Sequence, residues 1–270
     1  MSNLRVACQT YTWEMLGDRW QAAITDLLDS IAAAGYAGVE ITNNMIGEFA
    51  DRPADFAREL QSRNLALAAF AYAPPSAWTD PARRAEDLAN GRRWIAFVSH
   101  FAGARLALSG AAHPSREDLW RKLDHAIGLY NEVGAAAAAA GISANVHPHS
   151  HHGSLLESAE EYQHLLTRLD PRWVSLGPDT GHIVRGGQDL LSCLGTHLRR
   201  ITHLHLKDVG ADREWQPLGQ GRCDFPAVLA LLEQSGYDGW IVAEEESRQA
   251  WQDGEAAIIG NRQYLRSLGY

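Results

Sequence analysis

The sequence predicts an α/β fold, a single (β/α)8 TIM barrel over residues 1–270, and three observations carry that prediction. Eight short apolar runs alternate with amphipathic helical windows from end to end. Divided among eight units, 270 residues leave about 34 each, enough for a strand, a crossover helix and two short loops. An internal echo then repeats the same punctuation: Gly35-Tyr36-Ala37-Gly38-Val39 and Gly236-Tyr237-Asp238-Gly239-Trp240 both read as helix stop, tight turn, strand start. No Ser/Gly linker, charge block or low-complexity segment marks a domain boundary. The rival architecture, a doubly wound open sheet, wants a glycine-rich phosphate loop after its first strand. This chain has Gln9-Thr10-Tyr11-Thr12-Trp13 there, and neither G-x-G-x-x-G nor a Walker A sequence.

Taken in order, the expected strands are 6–12, 38–42, 65–71, 104–109, 143–149, 174–178, 201–208 and 239–245. Between the first two, Trp20, Ile24, Leu27, Leu28 and Ile31 make one apolar helical stripe, with Asp18 placed to cap its start and Gly35 its end. The seventh interval repeats the grammar: Asp224 precedes Pro226, then Val228, Leu231 and Leu232 follow, and Gly236 closes the helix. With 46% hydrophobic and 21% charged residues the chain can bury a substantial core. Thirty-three acids against 24 bases give a net charge of −9, which repels phosphate backbones and argues against nucleic acid as a partner. Cys8, Cys193 and Cys223 lack C-x-x-C spacing, as expected of free thiols in a reducing compartment. The run from Met1 to Arg5 leads into a strand without a leader-like apolar segment. No apolar stretch approaches the ~18 residues of a membrane span, so a cytoplasmic protein is expected, with no membrane partner.

In a barrel the chemistry sits at the C-terminal strand ends, so residues that are costly to bury are sought there. Four consecutive ends stand out. The fifth carries Asn145-Val146-His147-Pro148-His149, and the period of two puts His147 and His149 on one face. The sixth carries Asp179-Thr180-Gly181-His182. The seventh reads His203-Leu204-His205-Leu206-Lys207-Asp208, where the two leucines meet the helices and His203, His205 and Lys207 face the barrel axis. The eighth ends in Glu244-Glu245-Glu246. Imidazoles and carboxylates from neighbouring strand ends suit a divalent cation that keeps open positions for substrate, and the inferred ligands are His147, Asp179, His205 and Glu244. His151 and His152 are explained by a polar loop. Lys207 is one of only two lysines against 22 arginines, which sets it apart from ordinary surface decoration. Tyr11 and Trp13 after the first strand, and Tyr72 and Trp78 after the third, are placed to stack on a ring-shaped polyol or to pack the pocket wall.

These motifs resemble the xylose-isomerase-like TIM barrels, the sugar phosphate isomerase/epimerase superfamily that also includes endonuclease IV. The resemblance rests on Gly38-Val39-Glu40, Asp179-Thr180-Gly181-His182, His205-Leu206-Lys207-Asp208, Pro217-Leu218-Gly219-Gln220-Gly221 with Asp224-Phe225, and Gly239-Trp240-Ile241-Val242-Ala243-Glu244. Within the superfamily the set is most similar to inosose (2-keto-myo-inositol) dehydratases. The resemblance implies one divalent metal, manganese first with cobalt, magnesium or zinc as alternatives, held by Asp179, His205 and Glu244, with His182 touching substrate. Ketose epimerases carry a glutamate at the fifth strand end, where this chain has His147-Pro148-His149. A metal-assisted proton abstraction α to the ketone of a small keto-polyol is therefore expected, ending in dehydration by a lyase in preference to isomerisation or epimerisation. Expected roles are Glu244 or Lys207 as base or electrostatic support and His149 or His182 as acid. Trp13, His182 and Arg213 are the expected substrate contacts. A homo-oligomer is compatible with the sequence. An endonuclease IV-like nuclease is the remote alternative, disfavoured by the −9 charge.

Overall fold

Alternation along the strands sorts side chains into two apolar bodies, and that sorting makes a barrel. In the structure, a computed structural model that describes residues 4–270, ten strands occur. They are β1 (Arg5–Gln9), β2 (Gly38–Thr42), β3 (Ala66–Tyr72), β4 (Arg105–Ser109), β5 (Ser143–His147), β6 (Val174–Leu176), β7 (His203–Leu206), β8 (Asp208–Val209), β9 (Trp215–Gln216) and β10 (Trp240–Ala243). Eight run parallel in the order β6-β5-β4-β3-β2-β1-β10-β7, and helices fill the connections, as the fold class required. The ring closes between β6 and β7 through the parallel bridges Leu176–Ile201 and Asp179–His205. Closure therefore runs through two residues expected at the chemical site.

Outward-facing Val6, Val39, Leu204 and Ile241 join the large core under the helices. Ala7, Ala68, Trp240 and Val242 form a separate plug inside the barrel floor. Gly38 is demanded by that plug, because a Cβ there would meet the Trp240 ring at 2.8 Å. Between the helices and β3, Phe70 packs on Trp94 with ring centroids 4.7 Å apart, and Phe56 packs on Phe49 at 5.4 Å.

The boundaries shift where loops begin. The first strand stops at Gln9, since Trp13 N–H donates to Thr10 O and the chain turns into a helix at Tyr11–Glu14. The fifth strand stops at His147, before Pro148, which has no N–H to pair. The seventh run divides: β7 stays in the barrel while Asp208–Val209 leaves to pair antiparallel with Trp215–Gln216. Asp18 lies in a 3-10 turn and does not cap the helix; Ile24–Ala34 begins later, where Asp26 accepts from Ala23 N. Gly35, at φ 87°, ends that helix as expected, and Asp224 accepts from Ala227 N at the start of Phe225–Gln234. The three cysteines are free and buried. Among the described residues no helix is long and apolar enough to cross a membrane; the reading of Met1 to Asn3 lies outside them.

Candidate metal centre and substrate cavity

Each predicted ligand is aimed by its neighbours. His147 ends β5 with Nδ1 2.9 Å from Gly177 O. A carbonyl only accepts, so the ring proton sits on Nδ1 and the Nε2 lone pair is left for the site. Asp179 caps the helix Thr180–Arg185: its Oδ1 accepts from His182 N at 2.7 Å, while its buried Oδ2 has no hydrogen-bond partner among the described residues. Thr180 Oγ1 donates to Lys207 O at 2.7 Å and accepts from Lys207 N at 2.9 Å, which locks the two loops together. His205 lies between two carboxylates, with Nδ1 2.5 Å from Glu244 Oε2 and Nε2 3.1 Å from Glu40 Oε2. Glu244 Oε1 accepts from Lys207 Nζ at 2.9 Å. One ligand atom each from His147, Asp179, His205 and Glu244 fall within 4.8 Å of one another, and all four residues are buried. Two imidazoles and two carboxylates, one with an orphaned oxygen, fit a divalent cation by number and by chemistry.

The four residues are charged differently by their surroundings. Burial pushes the Asp179 carboxyl up to about 7, with Glu244 adding to the rise and Lys207 and His205 opposing it. Burial drives His147 well below its usual range, leaving the neutral imidazole a metal needs. Burial works against charge on His205 too, but Glu40 and Glu244 outweigh it and raise the group to about 10. Lys207 is likewise held charged by Glu244 and Glu246 in spite of its burial, and in turn keeps Glu244 ionised.

Beside this cluster opens a cavity whose lining divides in two. Its polar part includes Tyr11, Glu14, Glu40, His147, His149, His151, Glu244 and Glu246. The other part is Ala71, Ala73, Pro74, Ala77, Ala107 and Ala112. Among the described residues its lining includes no arginine or lysine. Glu246 bonds to Lys207 and, chiefly through burial, has its carboxyl raised to about 7. Glu245, between the two acids, turns the other way and accepts from Ser247 N and Asn261 Nδ2. The period of two thus selects Glu244 and Glu246 for the cavity.

Other expectations need correction. His149 lines the cavity, where burial lowers it to about 4, and burial drives His182 down as well, which works against the expected role of either as an acid. His182 lies behind the lining: Ser150 N and Oγ contact its Nδ1 at 2.9 Å, and His151 stacks on its ring at 4.7 Å. The backbone N–H fixes Nδ1 as acceptor and puts the proton on Nε2. Trp13 is buried in the core, and Tyr11, two residues earlier, lines the cavity in its place. Tyr72 and Trp78 are packing residues, edge to face at 5.1 Å, with Tyr72 OH on Asp87 O and Trp78 Nε1 on Ser109 Oγ. Arg213 is exposed and donates to Arg185 O at 2.9 Å, outside the cavity lining. His151, read as a plain loop residue, comes within 3.9 Å of Glu246 on the cavity wall. Asp208 proves to be a loop anchor, accepting from the backbone N–H of Gly219, Gly221 and Cys223; this accounts for Gly221, since a Cβ there would sit 2.3 Å from Asp208 Oδ1.

Residues 28–268 match the model of the xylose isomerase-like TIM barrel family. The chain belongs to that family. Among its relatives, an inosose dehydratase of Lacticaseibacillus casei is 29% identical over 268 residues, covering 88% of this chain and 87% of that protein. An inosose dehydratase of Geobacillus thermodenitrificans is 36% identical over 154 residues, where the match spans about half of each chain (50% and 51%). Two solved barrels of the same fold each align with a TM-score of 0.79. An IolI protein with a bound zinc atom is 14% identical, with 98% of both chains covered. The 3-keto-D-glucoside 4-epimerase of E. coli is 17% identical, covering 98% of this chain and 99% of that one. At such identities these two speak for the fold alone.

Proposed function

We propose that this protein is a divalent-metal-dependent lyase, one domain over residues 1–270, that removes water from an inosose-like cyclic keto-polyol. The observation that carries the reading is the buried group His147, Asp179, His205 and Glu244, with the Asp179 Oδ2 orphan, at the edge of a cavity with polar and apolar walls. Manganese is the proposed cation. When bound, it would stabilise negative charge developing on the ketone oxygen. Glu244, held ionised by Lys207, takes the proton α to the ketone, and the C–H electron pair becomes the new double bond. The neighbouring C–O bond breaks and Glu246 hands its proton to the departing hydroxyl, which leaves as water. Lys207, bonded to both carboxylates, is suited to returning the proton from Glu244 to Glu246. His149 stays a neutral contact on the wall.

Dehydration is favoured over epimerisation because inversion needs a proton delivered to the opposite face, and His147 stands where a second glutamate would serve. Its Nδ1 proton is engaged by Gly177 O and its Nε2 is turned to the metal group. The substrate is read as unphosphorylated, since the lining offers acids and imidazoles but no guanidinium or ammonium. Free buried thiols fit a cytoplasmic setting. The test is incubation of keto-inositols and keto-sugars with the protein and manganese in deuterated water, followed by NMR. Loss of water to a conjugated enone or dione is expected. Inversion at the exchanging carbon without such a product would establish the epimerase reading instead.

A further inference from the structure

Next to the metal group, and reaching the cavity lining, Glu40 stands where an apolar residue would be cheaper to bury. It is 1% exposed, and the plug of Ala7, Ala68, Trp240 and Val242 shows that the barrel floor can be filled without charge. Three donors from two other strands converge on its carboxylate. His203 Nε2 lies 2.5 Å and His205 Nε2 3.1 Å from Oε2, and Gln9 Nε2 donates to Oε1 at 2.6 Å. Among the described residues His203 Nδ1 has no hydrogen-bond partner, so that ring makes no further connection toward the cavity. His205 does: the nitrogen opposite the Glu40 contact is the one turned to Glu244 and the metal group.

We infer that Glu40 is a positioning residue for the metal centre: by accepting the Nε2 proton of His205 it fixes the ring and leaves the Nδ1 lone pair directed at the cation. This rests on the metal-centre reading above. Carboxylates that hold the far nitrogen of a ligating imidazole are worth about 10–100-fold in metal affinity. Glu40 also lines the cavity, and its effect on the cation runs through His205.

Manganese titration by calorimetry of the wild-type protein, Glu40→Gln and His203→Gln tests it, with melting temperatures recorded with and without the cation. The expected result is about 10–100-fold weaker manganese binding in Glu40→Gln and near wild-type binding in His203→Gln, which leaves the Glu40–His205 contact in place. A Glu40→Gln protein that melts lower without metal yet binds manganese as the wild type does would overturn the inference, because Glu40 would then serve packing alone. A wild-type protein that binds no manganese would overturn the metal-centre reading itself, and this inference with it. Should Glu40→Gln fail to fold, the zinc-loaded wild-type protein decides by 15N NMR of its histidines. His205 protonated on Nε2 is expected, and ligation through Nε2 with the proton on Nδ1 refutes the inference.

Discussion

On the β3 and β4 side of the barrel mouth the cavity wall is Ala71, Ala107 and the loop residues Ala77 and Ala112; on the β5 and β10 side the lining gives way to His147, His149, Glu244 and Glu246, with Asp179, His205 and Lys207 packed beside them and outside the lining. Behind the alanines, Phe70, Phe97, Trp94 and Phe56 pack ring against ring, and stability there follows from apolar burial. On the other side, charges are buried in a network that, among the described residues, leaves Asp179 Oδ2 without a partner. The same sheet thus holds a half that is stable because it is apolar and a half whose buried charges are set against one another. The difference teaches that the chemistry lies where burial is least favourable, and substitutions on the two sides should separate function from stability.

Asp179→Ala should have the largest effect on turnover. Loss of one of four ligands weakens manganese binding by roughly a hundredfold or more, and turnover falls with it. The apo protein should melt no lower, despite loss of the helix cap, because an uncompensated buried carboxylate is removed. Titration calorimetry and thermal melts check both halves. Glu246→Gln comes next: turnover should drop by about 10²–10⁴-fold while manganese affinity changes little, since Glu246 is outside the four-ligand group. Equal losses of binding and turnover would show that it acts through the metal. On the apolar side, Phe56→Ala should cost about 3–5 kcal/mol in urea unfolding, with manganese affinity of the folded protein unchanged. Arg213→Ala, at the exposed loop, should leave turnover within about twofold of the wild type.

That contrast also explains what could be read in the chain. The strands follow from a period of two in buried apolar residues, so β2 falls on 38–42 as expected. His147, Asp179, His205 and Glu244 were legible because histidines and acids at consecutive strand ends have few structural explanations. Loop conformation was not: Tyr11–Glu14 winds into a helix, which exchanges Trp13 for Tyr11 at the cavity, and Arg213 turns outward onto Arg185. Glu40 could be noticed as part of a motif, but its partners His203 and His205 are over 160 positions away (|i−j| of 163 and 165). Only ring closure shows what it holds.

Diffraction from crystals soaked in manganese, with the anomalous signal recorded above the manganese edge, tests the central claim most directly. One peak is predicted, coordinated by His147 Nε2, an Asp179 oxygen, His205 Nδ1 and Glu244. No peak at saturating manganese, or a peak among His151, His182 and Glu246 with the four-ligand group left empty, would contradict it.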